Sequence, residues 1–305
     1  MQIILLGTAA GGGVPQWNCW CPTCRTARAD PGRVHHRTQS SIAVSPDGAR
    51  WFLINASPDV RDQLARLRSA GSIPAATVRH VPIEAVLLTD AELDHSLGIV
   101  LLREDRSLAL YAPDAVARVL EHDSRVLPMT RAFATVTVSP LPIDQPVPLH
   151  DRIGAASGLT AEAFTVRGDP PRFASDHAPG HTVGLVIRDV ATGGCLAYVP
   201  GCGAMDEAVV RRLRAADAVL FDGTFWRDDE LSALGISPHS ARSMGHVPID
   251  GPDGSLAVLA SLPAAIRVYT HINNSNPVLI EDSAPRAAVH AAGLIVGDDG
   301  LTFAV

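Results

Sequence analysis

Residues 85–95 read Ala85-Val86-Leu87-Leu88-Thr89-Asp90-Ala91-Glu92-Leu93-Asp94-His95. The apolar run Ala85–Thr89 is short enough to be a buried strand, and it runs into three carboxylates and an imidazole before a helical pattern resumes through Leu97 and Ile99. Carboxylates and a histidine at the C-terminal end of a strand form a cradle for a divalent cation. Standing alone, the stretch would read better as an acidic loop capping the next helix, with Asp94 as its N-cap.

It does not stand alone. Pro179-Gly180-His181-Thr182 precedes a strand, Thr270-His271 ends another, and His246 in Met244-Gly245-His246-Val247 is placed to reach the same cleft. Imidazoles that recur at strand ends, where loops converge, argue for one assembled site.

The same periodicity predicts strands at Gln2–Leu6, Ser41–Ser45 and Trp51–Asn55, with a turn at Pro46-Asp47-Gly48. Further strands are expected at Leu108–Tyr111, Val183–Val190, Cys195–Val199, Val219–Phe221 and Ile266–Thr270. Helices are expected at Pro58–Ala70, Asp114–Glu121, Glu207–Ala215 and Pro285–Ala292. The run Pro140–Pro148 reads as a surface excursion, and no repeat or linker divides the chain. One α/β domain over residues 1–305 follows, with helices packed outside a two-sheet sandwich.

The chain has 305 residues, 47% of them apolar, which suffices for a buried core. A formal charge of −7 argues against nucleic acid and anionic membranes as partners. Arg211, Arg212 and Arg214 read as one solvated helix face. The apolar opening Met1–Leu6 is too short for a signal-peptide core or a spanning helix, so a cytoplasmic protein without membrane insertion is expected.

Cys19, Cys21 and Cys24 form CxCxxC in a loop at about 11–25 that follows Gly11–Gly13 and holds Pro15 and Pro22. Three crowded thiolates suit a structural Zn²⁺ if a fourth ligand arrives from elsewhere, and the metal would pin a loop with few backbone hydrogen bonds of its own. Redox-active thiols are the alternative. Cys195 and Cys202 read as small buried hydrophobes.

The strand followed by DxExDH resembles the HxHxDH signature of the metallo-β-lactamase fold, with Asp94 and His95 kept and the first two histidines replaced by Asp90 and Glu92. PGHT at 179–182 and TH at 270–271 resemble that fold's later histidine motifs. Within it, LLGTAAGGGVPQWNCWCPTC (5–24), HHRTQSSIAVS (35–45), TDAELDH (89–95) and THINNSNP (270–277) together resemble a family of pyrroloquinoline quinone (PQQ) synthesis proteins. The resemblance implies a four-layer αβ/βα sandwich, a homodimer and a place in PQQ biosynthesis, with other proteins of that pathway as partners.

Pro200-Gly201-Cys202 stands where hydrolytic relatives carry a metal-bridging aspartate, so one active-site metal is expected, held by Asp94, His95 and His271. Two imidazoles and a carboxylate suit non-haem Fe²⁺, although other divalent metals bind such ligands. Asp90, Glu92 and His181 are then the candidates to orient substrate or move a proton. The resemblance to cyclic phosphodiesterases implies that Asn274, at the place of their histidine, completes the cysteine zinc site; His35, His36 and His239 are the other candidates. The leading expectation is Fe²⁺- and O₂-dependent hydroxylation of a tyrosine-derived, glutamyl-tyrosine precursor, small or still a short peptide. A carrier for PQQ or its precursor toward the periplasm, and a metal-dependent hydrolase, are the alternatives.

Overall fold

The computed structural model describes residues 1–67 and 78–305. Strands β1 (Gln2–Gly7), β2 (Ser41–Ser45), β3 (Trp51–Ile54), β4 (Ile83–Leu87), β5 (Ser107–Ala112) and β6 (Thr135–Pro140) belong to one sheet. Strands β7 (Pro146–His150), β8 (Ala156–Thr165), β9 (Val183–Asp189), β10 (Cys195–Val199), β11 (Ala218–Asp222), β12 (Ile266–Thr270) and β13 (Ile295–Val296) make the second. The chain then returns as β14 (Thr302–Ala304) to the edge of the first sheet, antiparallel to β1.

Side-chain alternation explains why the sheets stack as they do. On β4, Ala85 and Leu87 enter the core between the sheets while Val86, and Leu88 just beyond the strand, face outward. On β10, Leu196 and Tyr198 point inward while Ala197 and Val199 point outward. Both faces of each central strand are therefore apolar, and helices must cover the outer faces. Val60 and Val116 cover the first sheet, and Val209, Leu213, Leu259 and Val289 cover the second. The result is the expected four-layer α/β sandwich.

Strands β3 to β6 run parallel to one another, as do β10 to β13. Parallel strands deliver their C-terminal ends to one rim, and the residues following β4, β11 and β12 meet there. After β4 the chain turns into a short helix, Leu93–Ser96, and a second, Gly98–Leu101. Gly98 permits this: a Cβ there would lie 2.1 Å from the Ser57 carbonyl oxygen and 2.6 Å from that of Ala56.

Several local expectations are revised. The helix expected over Pro58–Ala70 spans Val60–Arg66, and its final residues 68–70 lie outside the described residues. That over Asp114–Glu121 is α-helical only to Arg118 and continues as a π-helical turn, Val119–Asp123. Pro146–Pro148 is not a surface excursion but part of β7, an edge strand, where a missing N–H costs no ladder bond. Arg212 is not a solvated member of its helix face: its guanidinium lies 4.9 Å over the Phe164 ring and pairs with Asp144 and Glu162. Among the described residues no helix is long and apolar enough to cross a membrane.

Candidate metal centre

Asp94 does not cap the helix that follows β4; Glu92 occupies that place without a side-chain bond, and Asp94 lies in the first turn with its carboxylate turned into the cleft. Its Oδ2 is 3.4 Å from Nε2 of His271 and 4.0 Å from Nε2 of His95. The three donors lie within 4.8 Å of one another, as one ion requires. His95 Nε2 is buried and has no hydrogen-bond partner, an expensive state for a polar atom unless something fills it. A divalent cation fits this donor set.

The other nitrogen of each ring is occupied. His95 Nδ1 donates to both oxygens of Asp90, at 2.7 and 2.9 Å. Burial would raise the Asp90 pKa, but the charge and hydrogen bond of His95 hold it below the usual carboxylate range. Burial likewise works against a charged His95, and Asp90 and Asp94 overcome it, lifting the imidazole to about 9. Asp94 is held low against its own burial by His95 and His271. Asp90 thus acts on the metal site through His95, fixing the tautomer that leaves Nε2 free.

His271 Nδ1 donates to Thr224 Oγ1 at 2.9 Å, and that hydroxyl donates to Asp222 Oδ1 at 2.6 Å. Asp222 Oδ2 accepts from Nδ1 of His246 at 2.7 Å. His246 stacks on His271 with centroids 5.5 Å apart and the planes inclined by 24°. Its Nε2 is left for the cavity that its ring lines. Burial disfavours the charged form of His246, yet Asp222 raises its pKa. His271 itself has φ of +53°, a left-handed conformation rare outside glycine and asparagine. Backbone bonds from Ala10 N–H to the Ile272 carbonyl and from Ile272 N–H to that of Thr8 hold it there.

These residues open onto a cavity of about 550 Å³ walled also by Arg172, Phe173, Phe225, Met244 and several glycines. Glu92 stands at its solvent-facing side; partial burial and the charges of Asp90 and Asp94 push its pKa up to about 7. His181 does not join the cluster. Its Nε2 bonds Asp176 Oδ1 at 2.8 Å, and the cavity is lined by the neighbouring Thr182 instead.

The second cluster gathers Cys19, Cys21 and Cys24. Asn274 meets it: its Nδ2 lies 3.2 Å from Cys24 Sγ and 3.8 Å from Cys21 Sγ. An amide's oxygen and nitrogen exchange by a half-turn, so the same position offers Oδ1 to an ion. The other candidates are engaged elsewhere, His35 with Asp298 and His36 with the Ala27 carbonyl, while His239 lines the cavity. The hydrogen bond between Cys21 and Cys24 is the main influence on both thiols, lowering Cys24 while raising Cys21. The loop is less irregular than expected: Pro22 starts a helix to Ala29, and Arg28 bonds the carbonyls of Gln16, Cys19 and Cys24.

Residues 50–272 match the model of the Beta-lactamase superfamily domain. Coenzyme PQQ synthesis protein B from Methylobacterium nodulans is 46% identical over 99% of both chains. The crystal structure of Zn²⁺-bound PqqB from Methylobacterium extorquens is 42% identical and covers 100% of both chains, with a TM-score of 0.90. The chain belongs to the coenzyme PQQ synthesis protein B family. A diphosphatase of the PhnP family, 21% identical with a TM-score of 0.67, shares the fold.

In this PQQ synthesis protein B family member, Cys202 supplies no bridging carboxylate. It is buried, its Sγ points to the Ala204 carbonyl at 3.1 Å, and burial followed by the charge of Asp222 raises it to about 12. Asp222 and Thr224 are the site residues that sequence reasoning missed. Their signal was available: Asp222 follows the apolar run Val219–Phe221 as Asp90 follows Ala85–Thr89.

Proposed function

We propose that this protein serves PQQ biosynthesis as an Fe²⁺- and O₂-dependent hydroxylase of a glutamyl-tyrosine-derived precursor. The observation that carries the reading is the buried, partnerless Nε2 of His95, facing Asp94 and His271 with Nδ1 already committed to Asp90. Two imidazoles and one carboxylate on a single side of a cavity would hold the ion and leave positions open, the ligand set of non-haem Fe²⁺ oxygenases. Bound iron would supply the redox chemistry that activates O₂.

The protein's own groups do the rest. His246, whose charged form Asp222 favours, donates from Nε2 to a phenolate oxygen and so orients the ring. Glu92, with a pKa of about 7, is poised to accept a ring proton and release it near neutral pH. Phe225 and Met244 furnish apolar wall that excludes water from the reacting face. Asp90 positions His95 rather than touching substrate.

The test is aerobic incubation of Fe²⁺-loaded protein with glutamyl-tyrosine and a reductant, read by mass spectrometry against a zinc-loaded control. A gain of one oxygen that requires iron and disappears in His95→Ala and His271→Ala supports the reading. Equal product with zinc and without O₂ would replace it by hydrolysis.

A further inference from the structure

The wall of the cavity carries one guanidinium, Arg172, whose charge slightly offsets the carboxylates that raise Glu92. Between β8 and β9 the chain forms a tight turn in which the Ala174 N–H bonds the Pro171 carbonyl at 2.8 Å. Arg172 and Phe173 occupy its tip, and both line the cavity. Pro170 and Pro171 precede them, so the turn enters with two backbone φ angles already fixed. A stiff approach places the tip at little entropic cost.

Arg172 makes no hydrogen bond and no ion pair with any described residue. By contrast, Arg118 faces Asp176 and Arg152 clamps Asp105. Meanwhile the cavity holds the carboxylates of Asp90, Glu92, Asp94 and Asp169. Four acidic groups against one guanidinium would repel an anionic substrate unless that substrate reached the cation directly. A guanidinium is also the group whose planar fork matches a carboxylate in two parallel bonds.

We propose that Arg172 binds a carboxylate of the substrate, making this site selective for aromatic compounds that carry an amino-acid carboxylate. This rests on the hydroxylase reading for the identity of the ring, but the carboxylate contact does not require turnover. The metal-facing end of the substrate is its ring; the carboxylate end lies at the turn tip, with Phe173 beside it. Arg172 is therefore a binding residue that sets KM, and the chemistry at the ring is left to His246, Glu92 and the metal ligands.

The experiment compares glutamyl-tyrosine with its C-terminal amide on wild type, Arg172→Ala and Arg172→Lys. Equilibrium binding to zinc-loaded protein is measured by calorimetry, and KM and kcat are measured with iron-loaded protein. The expected result is a loss of about tenfold to a hundredfold in affinity for the acid in Arg172→Ala. The amide binds wild type and variant alike, Arg172→Lys recovers part of the loss, and kcat, read well above the Glu92 pKa so that this carboxylate is ionised in every variant, is preserved. Turnover with unchanged affinity in Arg172→Ala would overturn the assignment while leaving the hydroxylase standing. Arg172-dependent binding without iron-dependent oxygen gain would keep the carboxylate site and remove the hydroxylase. An equal loss for acid and amide would make Arg172 structural, and absence of binding by wild type would overturn both proposals.

Discussion

Each imidazole proposed as a ligand is defined by what its outer nitrogen does. His95 gives Nδ1–H to a charged carboxylate, and His271 gives Nδ1–H to a hydroxyl that relays to Asp222. A carboxylate partner raises ligand basicity and locks the ring; an amide in its place keeps the shape but not the charge. Asp90 also accepts from Glu92 N–H and from Thr89 Oγ1, so an amide would meet one of these donors with its own NH₂. Asp90→Asn should therefore weaken active-site metal binding by about tenfold to a hundredfold, read by chelator competition. Unchanged affinity would remove Asp90 from the positioning role. At this scale the motif DxExDH was legible as a metal cradle, because carboxylates after a strand are informative by type. The division of labour within it was not: Asp94 and Asp90 differ only in which way the chain turns after β4.

At the scale of elements, the rim is joined by a buried acid. Glu230 begins the short helix Glu230–Ala233, and its side chain accepts from Trp226 N–H at 2.7 Å and from Ser275 Oγ at 2.5 Å. Burial raises its pKa from 4.5 to about 7, outweighing these hydrogen bonds. The folded state thus holds the proton more tightly than the unfolded chain. Its contribution is complete below pH 4.5 and is lost as pH rises toward 7, by up to about 3 kcal/mol. Glu230→Gln carries no such loss, so denaturant titration should find it gaining on wild type between pH 5 and pH 8; a parallel pH profile for the two would refute the shift. Elements were read well where both faces of a strand are apolar, as in β3, β4, β10 and β12. They were missed where composition disguises them. Strand β8 builds its inward face from Leu159 and from Ser157, Ala161 and Ala163, small residues with little strand preference, and is held by pairing with β7 and β9.

For the whole molecule, the cysteine cluster ties the amino-terminal loop to the segment after His271. Asn274 stands 250 residues from Cys24 and three from a proposed active-site ligand. An ion shared between them would brace the loop that carries Gly11, which lies beside the Asp94 side chain. Asn274→Ala should lower zinc content by about one ion per chain and Tm by about 5 °C or more, measured by metal analysis and calorimetry. Full zinc retention would return the fourth position to another ligand.

Residue type and local order alone determined the strand that leads into Asp90–His95, the CxCxxC loop and the sandwich class, since each rests on neighbours within a few positions. Tertiary structure alone decided that His181 turns to Asp176 while His246 turns into the cleft, and that Asp222 and Thr224 back His271. The physical reason is that parallel strands bring distant C-terminal ends to one rim, and which side chains face each other there depends on register and on the path of loops. Those are properties of the assembled sheets, and no local pattern encodes them.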